Sequence, residues 1–255
     1  MKVVILAGGY GTRLSEETEI KPKPMVEIGG HPIIWHIMKH YSSHGHNEFI
    51  ILLGYKGYVI KEYFLNYFAH NSDITIDLQD NKIDFHSTKS EPWKISLVDT
   101  GLDSLTAKRI KLAQPFLNNE NFLMTYGDGL SDVNIQSSIN FHDHSGAVVT
   151  MTTVQPSGRY GAVDIKDSIV ERFVEKPQGD GSWINGGFFI CDNKIFDFIT
   201  DKNEMFESGP MERMASAKAI SAFKHQGFWQ CMDTLRDKHA LEELWGSECP
   251  PWKSW

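Results

Sequence analysis

The chain has 255 residues, a length that suits one large α/β domain, and 41% of them are hydrophobic, ample for a core. A formal net charge of -8 argues against nucleic acid or an anionic membrane surface as the partner, so any anion site must be local. No apolar run approaches the roughly 18 residues of a membrane span, the opening lacks the apolar stretch of a secretion signal, and three unpatterned cysteines, Cys191, Cys231 and Cys249, fit reduced thiols in a cytoplasm.

The first predicted element is a buried strand over Val3–Ala7 that runs into a loop with glycine at positions 8, 9 and 11. Without a Cβ, Gly8, Gly9 and Gly11 can take positive φ and bring backbone N–H groups close to phosphate oxygens. Arg13 offers a planar, permanently charged fork for a pyrophosphate, and Lys23 a mobile point charge for a single phosphoryl group. Pro22 and Pro24 are expected to hold Lys23 in an extended form. The phosphate loop ending in Gly-Lys-Ser/Thr is absent, and the dinucleotide fingerprint needs glycine where Leu14 stands.

The stretch LAGGYGTRL from Leu6 to Leu14, with KPKPM from Lys21 to Met25, resembles the signature of the sugar nucleotidyltransferases, which join a sugar 1-phosphate to a nucleoside triphosphate. The resemblance runs nearly end to end. It implies an α/β fold with a Rossmann-like, mixed but mostly parallel central sheet flanked by helices, Mg²⁺ as cofactor, and a homo-oligomer, hexamer or tetramer. It places Leu6, Ala7, Gly8, Gly9, Tyr10, Gly11, Thr12, Arg13 and Lys23 around the nucleotide. Residues 1–255 then form a single domain, with a nucleotide-binding part (about 1–130), a sugar-phosphate-binding part (about 131–240) and a C-terminal tail (241–255).

After a turn at Gly29 and Gly30, Pro32 occupies a first-turn position of a helix that lines up Ile33, Ile34, Ile37, Met38 and Tyr41 and ends near Gly45. A strand over 49–53 and a helix over 59–68 complete an alternation that argues for parallel α/β winding. His36, His40 and His44 repeat at four-residue spacing without a matching cysteine or carboxylate, so a solvated helix flank is expected and not a metal site. From Asp73 the period changes to two, with Ile74, Ile76 and Leu78 answered by Ile83 and Phe85, a hairpin excursion with polar faces. A strand over 95–98 leads into Thr100–Ile110. There the pattern TGxxSxTxxR resembles the cytidylyltransferases, which implies CTP as substrate and nucleotide contacts from Ser104 and Arg109. Ala107 and Lys108 depart from the Gly-Gly usual in the family. The same residues also read as a helix N-terminus with Ser104 as its cap and basic side chains in solvent.

A strand from Phe122 delivers Asp128 between Gly127 and Gly129, at a carboxyl end where open α/β sheets form their ligand crevice. A carboxylate there suits Mg²⁺. Asp132 is expected to cap a helix running through Phe141. The second carboxylate chosen for the metal is Asp233, for which capping of the helix from Thr234 to Trp245 is the competing reading. Between these acids a hairpin over 162–165 and 169–174 ends in Glu175-Lys176-Pro177. Resemblance gives Glu175 the sugar hydroxyls and Lys176 the sugar phosphate, with Gly161, Asn185 and Gly186 as further hexose contacts and Gly127 on the nucleotide.

The activity so implied is transfer of a cytidylyl group from CTP to glucose 1-phosphate, giving CDP-glucose for dideoxysugar and O-antigen synthesis, with Arg13, Lys23 and Asp128 in catalytic roles. A different triphosphate, dTTP or UTP, another sugar 1-phosphate, or a non-catalytic nucleotide-sugar-binding regulatory module are the alternatives. Trp252 and Trp255, beside prolines in the tail, need a surface to cover, on the body or on a neighbouring subunit.

Overall fold

The computed structural model describes residues 1–156, 162–174 and 182–255. The chain starts in β1 (Val3–Ala7), passes the glycine loop and a short helix α1 (Ser15–Thr18), and makes a tight hairpin of β2 (Glu27–Ile28) and β3 (His31–Pro32) before helix α2 (Ile33–Ser43). Strand β4 (Glu48–Leu53), helix α3 (Gly57–His70), the outlying hairpin β5 (Ser72–Asp77) and β6 (Lys82–Thr88), strand β7 (Lys94–Asp99) and helix α4 (Thr106–Ala113) follow. Then come β8 (Phe122–Tyr126), β9 (Gly129–Ser131), α5 (Ile135–Ser145), β10 (Val149–Val154), β11 (Ala162–Lys166), β12 (Ile169–Val174), β13 (Ile184–Cys191), α6 (Pro210–Ser216), β14 (Ile220–Lys224), β15 (Trp229–Cys231) and α7 (Leu235–Trp245).

Among the described residues, seven strands form one sheet in the order β14-β10-β13-β8-β1-β4-β7. Only β13 runs antiparallel to its neighbours β8 and β10; the other pairings are parallel. The expected mixed, mostly parallel sheet is therefore present. Every residue of β1 is buried, because Val3, Ile5 and Ala7 face one layer of core and Val4 and Leu6 the other. A continuous apolar run is what a strand covered on both faces requires. The carboxyl ends of β1 and β8, which are direct neighbours, open together on one edge, and the sequences that leave them, Gly8 onward and Gly127 onward, meet there.

Four local expectations change. His36 and His40 are buried, at 0% and 3% exposure, and not on a solvated flank. Helix α2 is covered on that side too: Trp245 of α7 lies edge-on to the His36 ring, 4.7 Å between centroids. Each imidazole gives its Nε2 proton to a backbone carbonyl, His36 to Ile28 at 2.8 Å and His40 to Val133 at 2.9 Å, which is how a polar ring is tolerated in a core. Asp132 does not cap α5. It is still tied to the preceding strand, its N–H bonding Phe228 O, and its carboxylate pairs with His225 at 2.8 Å. Asn134 is the cap, accepting the Ser137 N–H at 2.8 Å. Lys23 begins a single 3₁₀ turn that spans Lys23–Met25, closed by Val26 N–H to Lys23 O, after an extended Pro22; Pro24 fits inside that turn because its missing N–H has no partner to lose there. The β5–β6 hairpin is the expected excursion, but only one of its faces is polar: Thr75, Asp77, Lys82 and Asp84 share it, while Ile76 and Ile83, each 54% exposed, lie on the other. The tail docks on the body of its own chain: Trp252 is 1% exposed, stacked on Phe228 and Trp245, and donates to His36 Nδ1 at 3.3 Å.

Candidate active site

A cavity of about 480 Å³ opens where β1 and β8 end. All residues from Leu6 to Arg13 line it, together with Lys23, Ser104, Arg109, Gly127, Asp128 and Asp233. Residues separated by more than 200 positions are thus brought to one crevice, at the strand-end location where open α/β sheets bind ligands. Gly11 adopts φ +66°, the left-handed region that its lack of a Cβ allows, whereas Gly8 and Gly9 do not. Gly8 serves a different need: a Cβ there would lie 2.4 Å from the Arg109 guanidinium.

Three chain segments supply the charges. Lys23 Nζ donates to Asp128 Oδ2 at 2.6 Å and to Asp233 Oδ1 at 2.7 Å, and Arg13 Nη1 donates to the other oxygen, Asp233 Oδ2, at 2.7 Å. Lys23 is mostly buried, which disfavours its charge, but the Asp128 charge and hydrogen bonds to both carboxylates outweigh burial and hold its pKa above the ordinary lysine range. Burial likewise opposes the Asp233 charge, yet the Lys23 hydrogen bond and charge, with Arg13 behind them, hold that carboxyl below the usual aspartate range. Asp233 is free for this role because Thr234 caps α7, in a reciprocal capping box with Asp237. The capping reading of Asp233 is therefore corrected: the residue one position later does that work.

Asp128, Asp233 and Cys231 bring three potential ligand atoms within 4.8 Å of one another. The thiol is pushed up by burial and by the Asp128 charge, so the two carboxylates are the anionic donors of the set. Hard oxygen donors of this kind fit a hard divalent cation, and an ammonium already sits between them.

Arg109 lines the cavity, but neither as a solvent-facing base nor with its fork directed outward. It is 4% exposed, and its Nη atoms donate to the carbonyls of Leu53 (3.0 Å), Gly101 (2.8 Å), Gly8 (3.1 Å) and Leu102 (3.1 Å) and to Thr100 Oγ1. It ties the glycine loop to the ends of β4 and β7. Ser104 donates to Thr100 O and does not cap α4; Leu105 holds the cap position and its N–H is taken by Asn203 Oδ1 at 2.7 Å. Asn185 and Gly186 lie on β13, and Asn185 reaches the cavity-lining Tyr126 hydroxyl at 3.3 Å. Gly161, Glu175 and Lys176 lie outside the described residues. Sequence reasoning missed Tyr126, Thr106 and Met205, which also line the cavity. Tyr126 was findable, since it directly precedes Gly127-Asp128 at the strand end; Met205 arrives from a remote loop with no local signal.

The nucleotidyl transferase family pattern matches residues 2–234. The chain is 54% identical, over 256 aligned residues and the full length of both proteins, to the glucose-1-phosphate cytidylyltransferases of Salmonella typhimurium and Salmonella typhi. Among solved structures, HddC from Yersinia pseudotuberculosis complexed with GMP-PN superposes with a TM-score of 0.68 at 25% identity, covering 96% of this chain and 99% of that one. That match spans the glycine loop, Lys23, Asp128 and Asp233 and covers most of the chain, which therefore belongs to the nucleotidyl transferase family.

Proposed function

We propose that this protein transfers a cytidylyl group from CTP to α-D-glucose 1-phosphate, releasing pyrophosphate and forming CDP-glucose. The observation that carries the reaction class is the convergence of Arg13 and Lys23 with Asp128 and Asp233 at the mouth of the glycine loop. The choice of base and sugar is supported by the full-length identity to the two Salmonella enzymes.

A phosphate oxygen of the sugar 1-phosphate attacks the α-phosphorus, the bond to the β,γ-pyrophosphate breaks, and the attacking group is an anion throughout, so no general base is needed. Catalysis then rests on positioning and neutralisation of charge. Arg13, three-quarters exposed at the cavity mouth, suits the departing pyrophosphate, and Lys23 the phosphate groups of the triphosphate. Glu175 and Lys176 are assigned to the sugar hydroxyls and the attacking phosphate by resemblance to the family. Asp128 and Asp233 would hold Mg²⁺. When bound, such an ion offsets the repulsion between the two phosphate esters. The product suits dideoxysugar and O-antigen synthesis in the cytoplasm. Division into a nucleotide part, a sugar-phosphate part and a tail belongs to the same reading, as does self-association, for which the uncovered apolar hairpin side chains offer a surface.

Pyrophosphate release measured for each triphosphate with each sugar 1-phosphate tests the assignment. CTP with glucose 1-phosphate is expected to be the preferred pair. Preference for UTP or dTTP would overturn the choice of base, and CDP-glucose binding without pyrophosphate release would overturn the activity. Light scattering should give a mass several times that of one chain.

A further inference from the structure

Behind the cavity wall a chain of hydrogen bonds joins the nucleotide side to the sugar side. Tyr126, at the end of β8, donates its hydroxyl proton to Glu207 Oε1 at 2.5 Å. The second oxygen, Glu207 Oε2, takes the hydroxyl proton of Thr106, the first residue of α4, at 2.8 Å, and Thr106 Oγ1 itself accepts the Phe206 N–H at 2.7 Å. On the other side, Asn185 Oδ1 accepts the Gly187 N–H at 2.9 Å, which turns Asn185 Nδ2 toward the Tyr126 oxygen at 3.3 Å. The Tyr126 ring is seated against Gly187, where φ is +82° and an added Cβ would lie 2.7 Å from the ring. Ring and hydroxyl are thus both fixed.

The direction of each proton follows from the donor inventory. A carboxylate only accepts, so the single Tyr126 proton goes to Glu207. An amide nitrogen only donates, so the Tyr126 oxygen accepts from Asn185. What remains is one lone pair on the cavity-lining Tyr126 and, adjoining it on β13, one N–H on Asn185, an acceptor next to a donor. That pair matches a hydroxyl, which gives one hydrogen bond and takes another. Burial, with the Glu207 charge added, pushes the Tyr126 hydroxyl well above its ordinary range and keeps it protonated.

We infer that Glu207 is a positioning residue that sets the polarity of a sugar-hydroxyl subsite, by holding the Tyr126 proton away from the cavity so that Tyr126 presents an acceptor. Without Glu207 the proton swings outward, and a sugar hydroxyl finds two donors and nowhere to place its own proton. The inference rests on the sugar-phosphate reading of this side of the cleft.

The test is calorimetric titration of wild type and variants with CDP-glucose and with CDP, separate from any assay of turnover. Wild type should bind CDP-glucose more tightly than CDP. Glu207→Leu should weaken CDP-glucose about tenfold while CDP stays within twofold. Tyr126→Phe should do the same, and the double variant should be no weaker than either single one. Glu207→Gln keeps an oxygen for the Tyr126 proton and should bind nearly as wild type does. If Glu207→Leu fails to fold, Glu207→Asp, which keeps the charge but loses reach, should show the same selective loss. Equal weakening of CDP and CDP-glucose, no weakening of CDP-glucose, or multiplying losses in the double variant would overturn the inference, as would a wild type that does not favour CDP-glucose. Binding as expected without turnover would remove the proposed reaction and leave this inference standing; turnover with unchanged binding in Glu207→Leu would do the reverse.

Discussion

Lys23 has two carboxylates on one ammonium, with 12% of its side chain exposed, while Arg13 shares one of those carboxylates from an open position at 75%. The same ion-pair network therefore has an inner and an outer member, and their replacement should separate stability from activity. Lys23→Met should lower kcat/KM by roughly 10- to 100-fold or more, since one charge-assisted contact is worth about 1.5–3 kcal/mol. It should also lower the melting temperature, because Asp128 and Asp233 are left facing each other. Arg13→Met should leave the unfolding free energy within about 0.5 kcal/mol, as exposed pairs do, and still lose turnover. Steady-state kinetics with thermal melts on both variants check this; a large loss of stability in Arg13→Met would refute the division.

At the scale of elements, helix α2 carries a titration signature. His36 and His40 are each lowered to about 4, in both cases chiefly by burial. The sign follows from which state binds the proton. Above pH 6.5 both folded and unfolded imidazoles are neutral and the packing is fully retained. Between 6.5 and about 4 the unfolded chain takes up protons that the folded chain refuses, so stability falls by roughly 1.4 kcal/mol per pH unit for each ring. Urea unfolding at pH 7.5, 6 and 5 should show that slope, and a flat profile over this range would contradict it. The helix also shows what could be read from the chain and what could not. Its extent and its Gly45 stop were legible from apolar spacing and a turn residue. The burial of its histidine flank was not, because the covering comes from remote segments: α7 and the tail over His36, Val133 and Phe188 over His40. The same holds in the site: Gly8, Arg13, Lys23, Asp128 and Asp233 stand in local motifs, but the inward turn of Arg109 depends on carbonyls at the end of β4 and in the loop after β7, and Asp132 lost its cap role to a contact with His225 just beyond β14. Local patterns report what a segment can do, and remote partners decide which of its options is taken.

For the whole molecule, Trp252 in the tail is part of the core. Trp252 stacks on Phe228, which leads directly into β15 and then Asp233, and on Trp245 at the end of α7. Trp252→Ala should cost about 3–5 kcal/mol, as buried aromatics do, read as a shift in the urea midpoint, and kcat should drop with it because the strand that leads to Asp233 loses its backing. Unchanged kcat in a folded variant would show that the tail stabilises without aligning. A second global property concerns divalent ions. Lys23 and Arg13 together already balance the two carboxylates of the site, so EDTA should leave the melting temperature of the nucleotide-free protein unchanged within about 1 °C while abolishing the proposed Mg²⁺-dependent turnover. A large drop on chelation would mean that the fold itself depends on an ion.

The ammonium wedged between those acids has a further meaning for the resting protein. Any phosphate that enters must win this side chain from the two aspartates that hold it, so the first contact is an exchange of partners and not a simple addition. Affinity for a polyphosphate is thus a difference between two ion pairings, which favours ligands with enough charge to make that trade.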